Sequence, residues 1–266
     1  NPQVTQHVDT AGHVRGMHVV GSTAYVANGY TGVRIFDVSD RKNIREISQL
    51  ETYRALDIRA DGDHAFIADD WAGLVVADIS NPAAPQYIAR LDTPGYAEAI
   101  ALENNRAYIA DGEGGLQVID ISDPVNPWNT GSSVSGAYAF DVMVSDRVVY
   151  LADGKNGMRI FLAAKAVPVE IARFRPERQR FEVRGVDVSG RYAYLAAGYS
   201  GVSILDISNI REPREVARVD IRLGARSIEI SGNHAFVGDT KGVTVLDISD
   251  PTAPVVLHRR PVPANV

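Results

Sequence analysis

Cysteine is absent from the 266-residue chain. That excludes a disulfide framework, a cysteine nucleophile and a thiolate-bound metal. It leaves the compartment open, because many exported proteins also lack cysteine. No apolar run approaches the length of about 18 residues that a membrane-spanning helix needs. Lysine and arginine form no continuous block and the net charge is −6, which argues against a nucleic-acid groove. Glycine (23) and proline (13) stay well below fibrous or disordered levels. Helical periodicity is missing too. The best window for it, AAKAVPVEIARF, carries Pro168 in its interior. There is no GxSxG elbow, no HExxH and no phosphate loop.

What is present is repetition. GLVVADISNPAAP opens at Gly73, GLQVIDISDPVNP at Gly115 and GVTVLDISDPTAP at Gly242. With the opening glycine as anchor, six copies begin at Gly32, Gly73, Gly115, Gly157, Gly201 and Gly242, in steps of 41, 42, 42, 44 and 41 residues. A second phrase precedes each anchor: AYVAN, AFIAD, AYIAD, VYLAD, AYLAA and AFVGD. A third lies nine residues before the aromatic of that phrase, with cores such as Ile100-Ala101-Leu102 and Val186-Asp187-Val188. A fourth follows the DISxP turn, as in PQYIARL or PREVARV.

Each copy thus holds four short runs that alternate with period two and are separated by turn residues, which is strand patterning. In Asp-Ile-Ser-Asp-Pro the first Asp accepts backbone amide hydrogens, and Asn/Asp-Pro initiates a turn. The link between second and third strands is DGEGG, DGKNG or NGYTG, whose glycines accept positive φ. The recurring Asp is therefore read as turn chemistry, not as a row of catalytic carboxylates. Four antiparallel strands per unit of about 40 residues is the spacing of propeller blades. The expectation is an all-β, six-bladed propeller forming one domain over residues 1–266, preferred to an open solenoid. Two segments compete for the outermost strand of the last blade: the N-terminal VTQHV and the C-terminal PVVLHRR.

GLQVIDISDP, GLVVADISNP, GVSILDISN and GVTVLDISDP, with the upstream AYIAD phrase, resemble the LVIVD repeat of bacterial and archaeal β-propellers, many of them exported or surface-associated. The resemblance covers all six copies and implies the propeller, with no particular activity. Copy four departs from it. GMRIFLAAKAVP has Leu162 where the others have Asp37, Asp78, Asp120, Asp206 and Asp247, and it runs two residues longer, so its outer hairpin is expected to turn differently.

Positions that repeat hold the blade; positions that vary are free for function. The residue ten before each AYIAD aromatic reads Arg15, Leu56, Glu98, Phe140, Arg184, Arg226, and the one two earlier reads His13, Arg54, Tyr96, Tyr138, Glu182, Gly224. At the mouth of a channel lined by first strands, Arg15, Arg54, Arg184 and Arg226 make a cationic arc, and Tyr96, Tyr138 and Phe140 an aromatic wall. With Glu98 these are the candidate ligand-binding residues, suited to a small anionic or polar molecule. The competing reading makes them solvated rim residues. His13, Glu98 and Glu182 are the candidate acid–base groups. Tyr30, Trp71 and Tyr199 sit at hairpin tips and are candidate anchors for a protein partner, or rings folded over their own turns. Calcium on Asp69, Asp70, Asp111 or Glu113 lacks EF-hand spacing, so neither metal nor cofactor is expected.

The reading that results is a binding or interaction scaffold with a ligand site at the channel mouth. The alternative is a propeller enzyme, an isomerase, lyase or hydrolase, acting on a small anion there. The chain starts at Asn1, not Met, and the export signal is expected to have been removed, which points to a secreted, periplasmic or cell-surface protein.

Overall fold

The computed structural model describes residues 4–163, 167–177, 180–221 and 223–261. The fold is a six-bladed β-propeller: six sheets, each of four antiparallel strands in sequence order, with no helix among the described residues. The chain divides into two compact units, Asn1–Ser132 and Ser133–Val266. In the first unit the blades open with strands Gly16–Val20, Asp57–Asp61 and Ala99–Glu103. In the second they open with Asp141–Ser145, Gly185–Ser189 and Ser227–Ser231.

The middle strands of blades two to five are buried almost throughout, whereas the second strand of blade six alternates between buried and exposed, with Phe236 open to solvent. Within the first unit, Tyr25, Ile35, Ile58 and Ile67 form one core between blades one and two. Phe66, Leu74, Ile100, Ile109 and Ile119 form the next, between blades two and three. The second unit repeats the plan, with Tyr150, Ile160, Val186 and Leu195 in one core and Tyr194, Ile204, Ile228 and Val237 in the other. The pairing of third and fourth strands slips by one residue at the same place in five blades, from Ile35/Phe36 to Val245/Leu246. A bulge repeated this regularly adds twist to these five outer strands.

The turns behave as the local chemistry dictates. Asp37, Asp78, Asp120, Asp206 and Asp247 each accept the N–H of the serine two residues on. Three residues beyond, Asp40, Asn81, Asp123, Asn209 and Asp250 do the same one turn later. The anchor glycine has two reasons to be glycine. At Gly201 φ is +80°, and a Cβ would run into the carbonyl of Val219 in the fourth strand. At Gly242 φ is not positive, since the sixth hairpin is a two-residue turn with Asp239 paired to Gly242. The close approach alone, there to Arg260, still requires glycine.

The contest between termini is answered. Val255–Pro261 is the fourth strand of the sixth blade. The N-terminal segment instead lies on the first blade, where the Gln6 amide both accepts from Ile44 N–H and donates to its carbonyl. Copy four keeps the common register and bulge in its outer pair, Met158–Leu162 with Val169–Phe174. Most of the turn expected to differ there, residues 164–166, lies outside the described residues.

Blades are also joined side chain to backbone, by two sets of buried or half-buried acceptors. In the first set, first strands are linked. Asp57 accepts from Ile100 N–H (3.1 Å), Asp141 from Val186 (2.9 Å) and Asp187 from Ile230 (2.7 Å). His18 plays this part toward Ala60 through Nδ1 at 3.0 Å. Burial and the nearby Arg59 hold its pKa below the usual value, in keeping with a neutral acceptor. In the second set, the connection entering a blade is tied to that blade's second hairpin. Asp69 accepts from the Thr52 hydroxyl and from Tyr53 and Arg54 N–H. Asp111 accepts from Thr93 and Gly95, and Asp153 from Ser135. Asn28 substitutes in blade one, accepting from the Thr10 hydroxyl and donating to its carbonyl.

Two predictions follow from this frame. Ile119 is fully buried, so Ile119→Ala should cost about 2–5 kcal/mol. Asp120→Ala loses chiefly the turn acceptor for Ser122 and should cost about 1–2 kcal/mol. Denaturant melts ranking the two the other way would overturn this account of the turn. Asp111 concerns pH. Burial, outweighing the hydrogen bonds from Thr93 and Gly95, raises its pKa from 3.8 to about 6. Between those values the folded chain binds a proton that the unfolded chain has released, so this group's contribution falls as pH rises through the window. Against Asp111→Asn, the wild type's advantage should be largest near pH 4 and shrink by up to about 3 kcal/mol by pH 7. Urea melts across this range check it; a constant gap would mean that Asp111 ionises alike folded and unfolded.

Candidate functional site

Copy five breaks the second set of ties. Ala197 occupies the place of Asn28, Asp69, Asp111 and Asp153, so no side chain at that position can draw the entering connection down. The neighbouring Ser203 hydroxyl, fully buried, has no hydrogen-bond partner among the described residues. In the equivalent slot of blade three Gln117 donates to Gly114, and in blade four Arg159 meets Asp153 at 3.6 Å. The connection itself is longer here, and Arg180 within it has a φ of +60°. In copy six the equivalent Asp239 is likewise not tied to the entering connection but accepts from Lys241 N–H and Arg259.

In copy five the opening is a concavity of about 650 Å³ lined by Lys155, Arg175, Pro176, Glu177, Arg180, Phe181, Glu182 and Tyr199. A smaller one of about 120 Å³ shares Arg180, Glu182 and Tyr199 and adds Arg184, Arg226 and Thr240. Together they gather five cationic side chains and two carboxylates. One carboxylate is engaged: Glu182 pairs with Arg184 at 2.7 Å. Arg184 also lies 4.8 Å over the Phe140 ring, which packs on Tyr138 with centroids 4.7 Å apart. Lys155, Arg175, Arg180 and Arg226 make no ion pair among the described residues. Their guanidinium and ammonium groups can supply hydrogen bonds to a carboxylate or phosphate.

In the first unit the expected residues gather differently. Arg54 is paired with Asp70 at 2.8 Å and lies 4.9 Å over the Tyr30 ring. Tyr30 meets Tyr53 edge to face, and Trp71 meets Tyr96 likewise, with centroids 6.4 Å and 4.4 Å apart. Glu98 is within electrostatic reach of Arg54. His13 and Arg15 are exposed, and Arg15 makes no ion pair among the described residues. The hairpin-tip aromatics remain open to solvent: Tyr30 is 68%, Trp71 57% and Tyr199 70% exposed. Tyr30 lies under Arg54 and Trp71 against Tyr96, and Tyr199 lines the same concavities as Glu182, Arg184 and Arg226.

Asp69 and Asp111 are engaged in the ties described above, which accounts for their recurrence. Lys155, Arg175 and Arg180 escaped the reading by repeat position, as did the Arg54–Asp70 pair. Signals for them existed. Arg173, Arg175, Arg178, Arg180 and Arg184 fall within twelve residues of the long connection; Arg178 lies outside the described residues. Charge is also split along the chain. Residues 1–132 carry 18 Asp and Glu against 9 Lys and Arg, net −9. Residues 133–266 carry 15 against 18, net +3.

Comparison with known proteins agrees with the fold. The chain resembles a protein from Lactobacillus plantarum (TM-score 0.78, 10% identity, covering 92% of this chain and 84% of that one). It also resembles the periplasmic gluconolactonase of Pseudomonas aeruginosa (TM-score 0.77, 15% identity, 90% and 81%). A computationally designed protein is similar as well (TM-score 0.72, 11% identity, 94% and 76%). At these identities the likeness concerns the fold alone. None of the curated proteins matches the chain in sequence. The LVIVD repeat model matches residues 11–52, 54–93, 94–135, 136–161, 182–221 and 224–259, passing over the stretch that holds Arg175 and Arg180. The chain belongs to the LVIVD-repeat family.

Proposed function

We propose that the protein is a binding scaffold whose second unit takes a small anionic ligand in the concavity beside Tyr199. One observation carries this reading: where the repeat's buried acceptor is replaced by Ala197, a space of about 650 Å³ opens, and Lys155, Arg175 and Arg180 face it without an ion pair among the described residues. The size suits a small organic molecule. Tyr199 and Phe181 offer apolar contact, and arginines offer bidentate hydrogen bonds to carboxylate or phosphate oxygens. Arg184, held by Glu182 and Phe140, is pre-positioned at the edge. An extracytoplasmic setting belongs to the same reading; the cysteine-free chain is compatible with it.

The enzyme alternative needs an acid or base at the bound ligand. Glu177 and Glu182 are the carboxylates of the site, and Glu182 is committed to its arginine, which favours binding over turnover. Calorimetric titration with citrate, phosphate and glucuronate tests the scaffold. Wild type should bind at least one, more weakly as salt rises toward physiological strength and beyond. The Arg175→Ala, Arg180→Ala variant should lose about tenfold or more in affinity, roughly 1.4 kcal/mol. No binding by wild type, or equal binding by the variant, overturns the assignment. Chemical conversion of the bound anion, followed by NMR, would favour the enzyme.

A further inference from the structure

The first unit carries a second constellation with the opposite electrostatic character. At the five-residue hairpin that links second and third strands, the second position is Gly29, Gly112, Gly154 and Gly198 in copies one, three, four and five, with φ between +52° and +65°. Copy two places Asp70 there at φ +51°. A side chain in the left-handed region is strained, and such strain persists where surrounding contacts hold it. What Asp70 does from that position is hold the Arg54 guanidinium, at 2.8 Å, against one face of Tyr30.

Around this pair stand three large exposed aromatics: Tyr30, Tyr53 (54% exposed) and Trp71. Each is braced by an edge-to-face partner, so their orientation is set before anything binds. Such rings are the residues that anchor partner chains. Exposed carboxylates border them at the same end of the sheets, Glu51 and Glu113, with Glu98 half-buried beside Arg54. The unit as a whole is net −9. Aromatic faces in an acidic field attract ammonium and guanidinium groups. Arg54 is the local cation best placed to cover those faces itself, and Asp70 pins it to one side of one ring.

We propose that this end of the first unit is a recognition surface for a cationic polypeptide segment, whose lysine or arginine side chains lie over the exposed rings of Tyr53 and Trp71. Asp70 is the positioning residue: by restraining Arg54 it keeps an internal cation from competing for the rings. This surface is separate from the anion site proposed for the second unit, and the two stand or fall apart.

The chain offers its own reporter, since it has two tryptophans and Trp128 lies on the fourth strand of blade three. Trp128→Phe leaves Trp71 as the single indole. In that background an alternating Lys-Gly peptide should change Trp71 fluorescence saturably, and less so as salt is added. An alternating Glu-Gly peptide and a neutral oligosaccharide should have little effect. Tyr53→Ala should weaken the peptide by about fivefold or more. Asp70→Gly, which installs the residue of the other copies, should leave the melting temperature unchanged or higher while weakening the peptide by about as much. Arg175→Ala with Arg180→Ala should leave it unchanged. The proposal fails if Trp71 does not respond to the basic peptide, if the acidic peptide or the sugar binds as well or better, or if Asp70→Gly binds as tightly as its parent.

Discussion

In blades one to four, a buried acceptor at the end of the second strand is the point on which the blade is hung. A carboxylate or amide placed there has no water to satisfy it, and its neighbours are two lengths of backbone arriving from different strands. It stays buried only if it draws donors from the entering connection. Asp69 takes three such donors, from Thr52, Tyr53 and Arg54. Satisfying one group therefore fixes the height of the connection, the start of the next first strand and the direction in which the variable residues emerge. Asn28 shows that charge is not required for the task, only an acceptor in the same place. Charge does carry a cost, visible in the raised pKa of Asp69 and Asp111, both dominated by burial.

Much of the blade was legible because its rules are local. Alternation over five residues, a glycine that must lie against the fourth strand, and an Asp two residues before a serine N–H need no knowledge of the rest of the chain. The links between first strands are different in kind. Asp57, Asp141 and Asp187 each serve a backbone N–H some forty residues away, and nothing near them in sequence announces it. Asp187 even sits inside a run that reads as plain strand core. The concavity was hidden for another reason. It arises from a missing acceptor at Ala197, and an absence is noticed only after the repeated role of the Asp is known. The channel-mouth and hairpin-tip residues were both picked out by position, but contacts such as Arg54 on Tyr30 and Trp71 on Tyr96 fall between copies, where no period points.

The same repetition that builds six similar blades leaves room for two unlike binding chemistries. Arginines with little to pair with line a hollow in the basic half, whereas braced aromatic rings stand among carboxylates in the acidic half. Long-range field and local contact point the same way in each unit, so at the two sites proposed above ligand charge would be sorted before any specific hydrogen bond is made. Salt acts on both, but the ring contacts in the acidic half have an apolar component that screening does not touch.

The bulge repeated between third and fourth strands bears on how the chain reaches this structure. Strand pairing is confined to neighbours in sequence, so a blade can assemble soon after its last strand is available, with short loops to close. Near-identical phrases also mean that a fourth strand from one copy could pair with the third strand of another at little local penalty, which is the usual misassembly of repeat chains. A one-residue slip at a fixed place ties each bulged outer strand to a single register. It gives five of the blades a bookmark that a misaligned strand would have to violate, and so guards against slipped pairing while the chain is still incomplete.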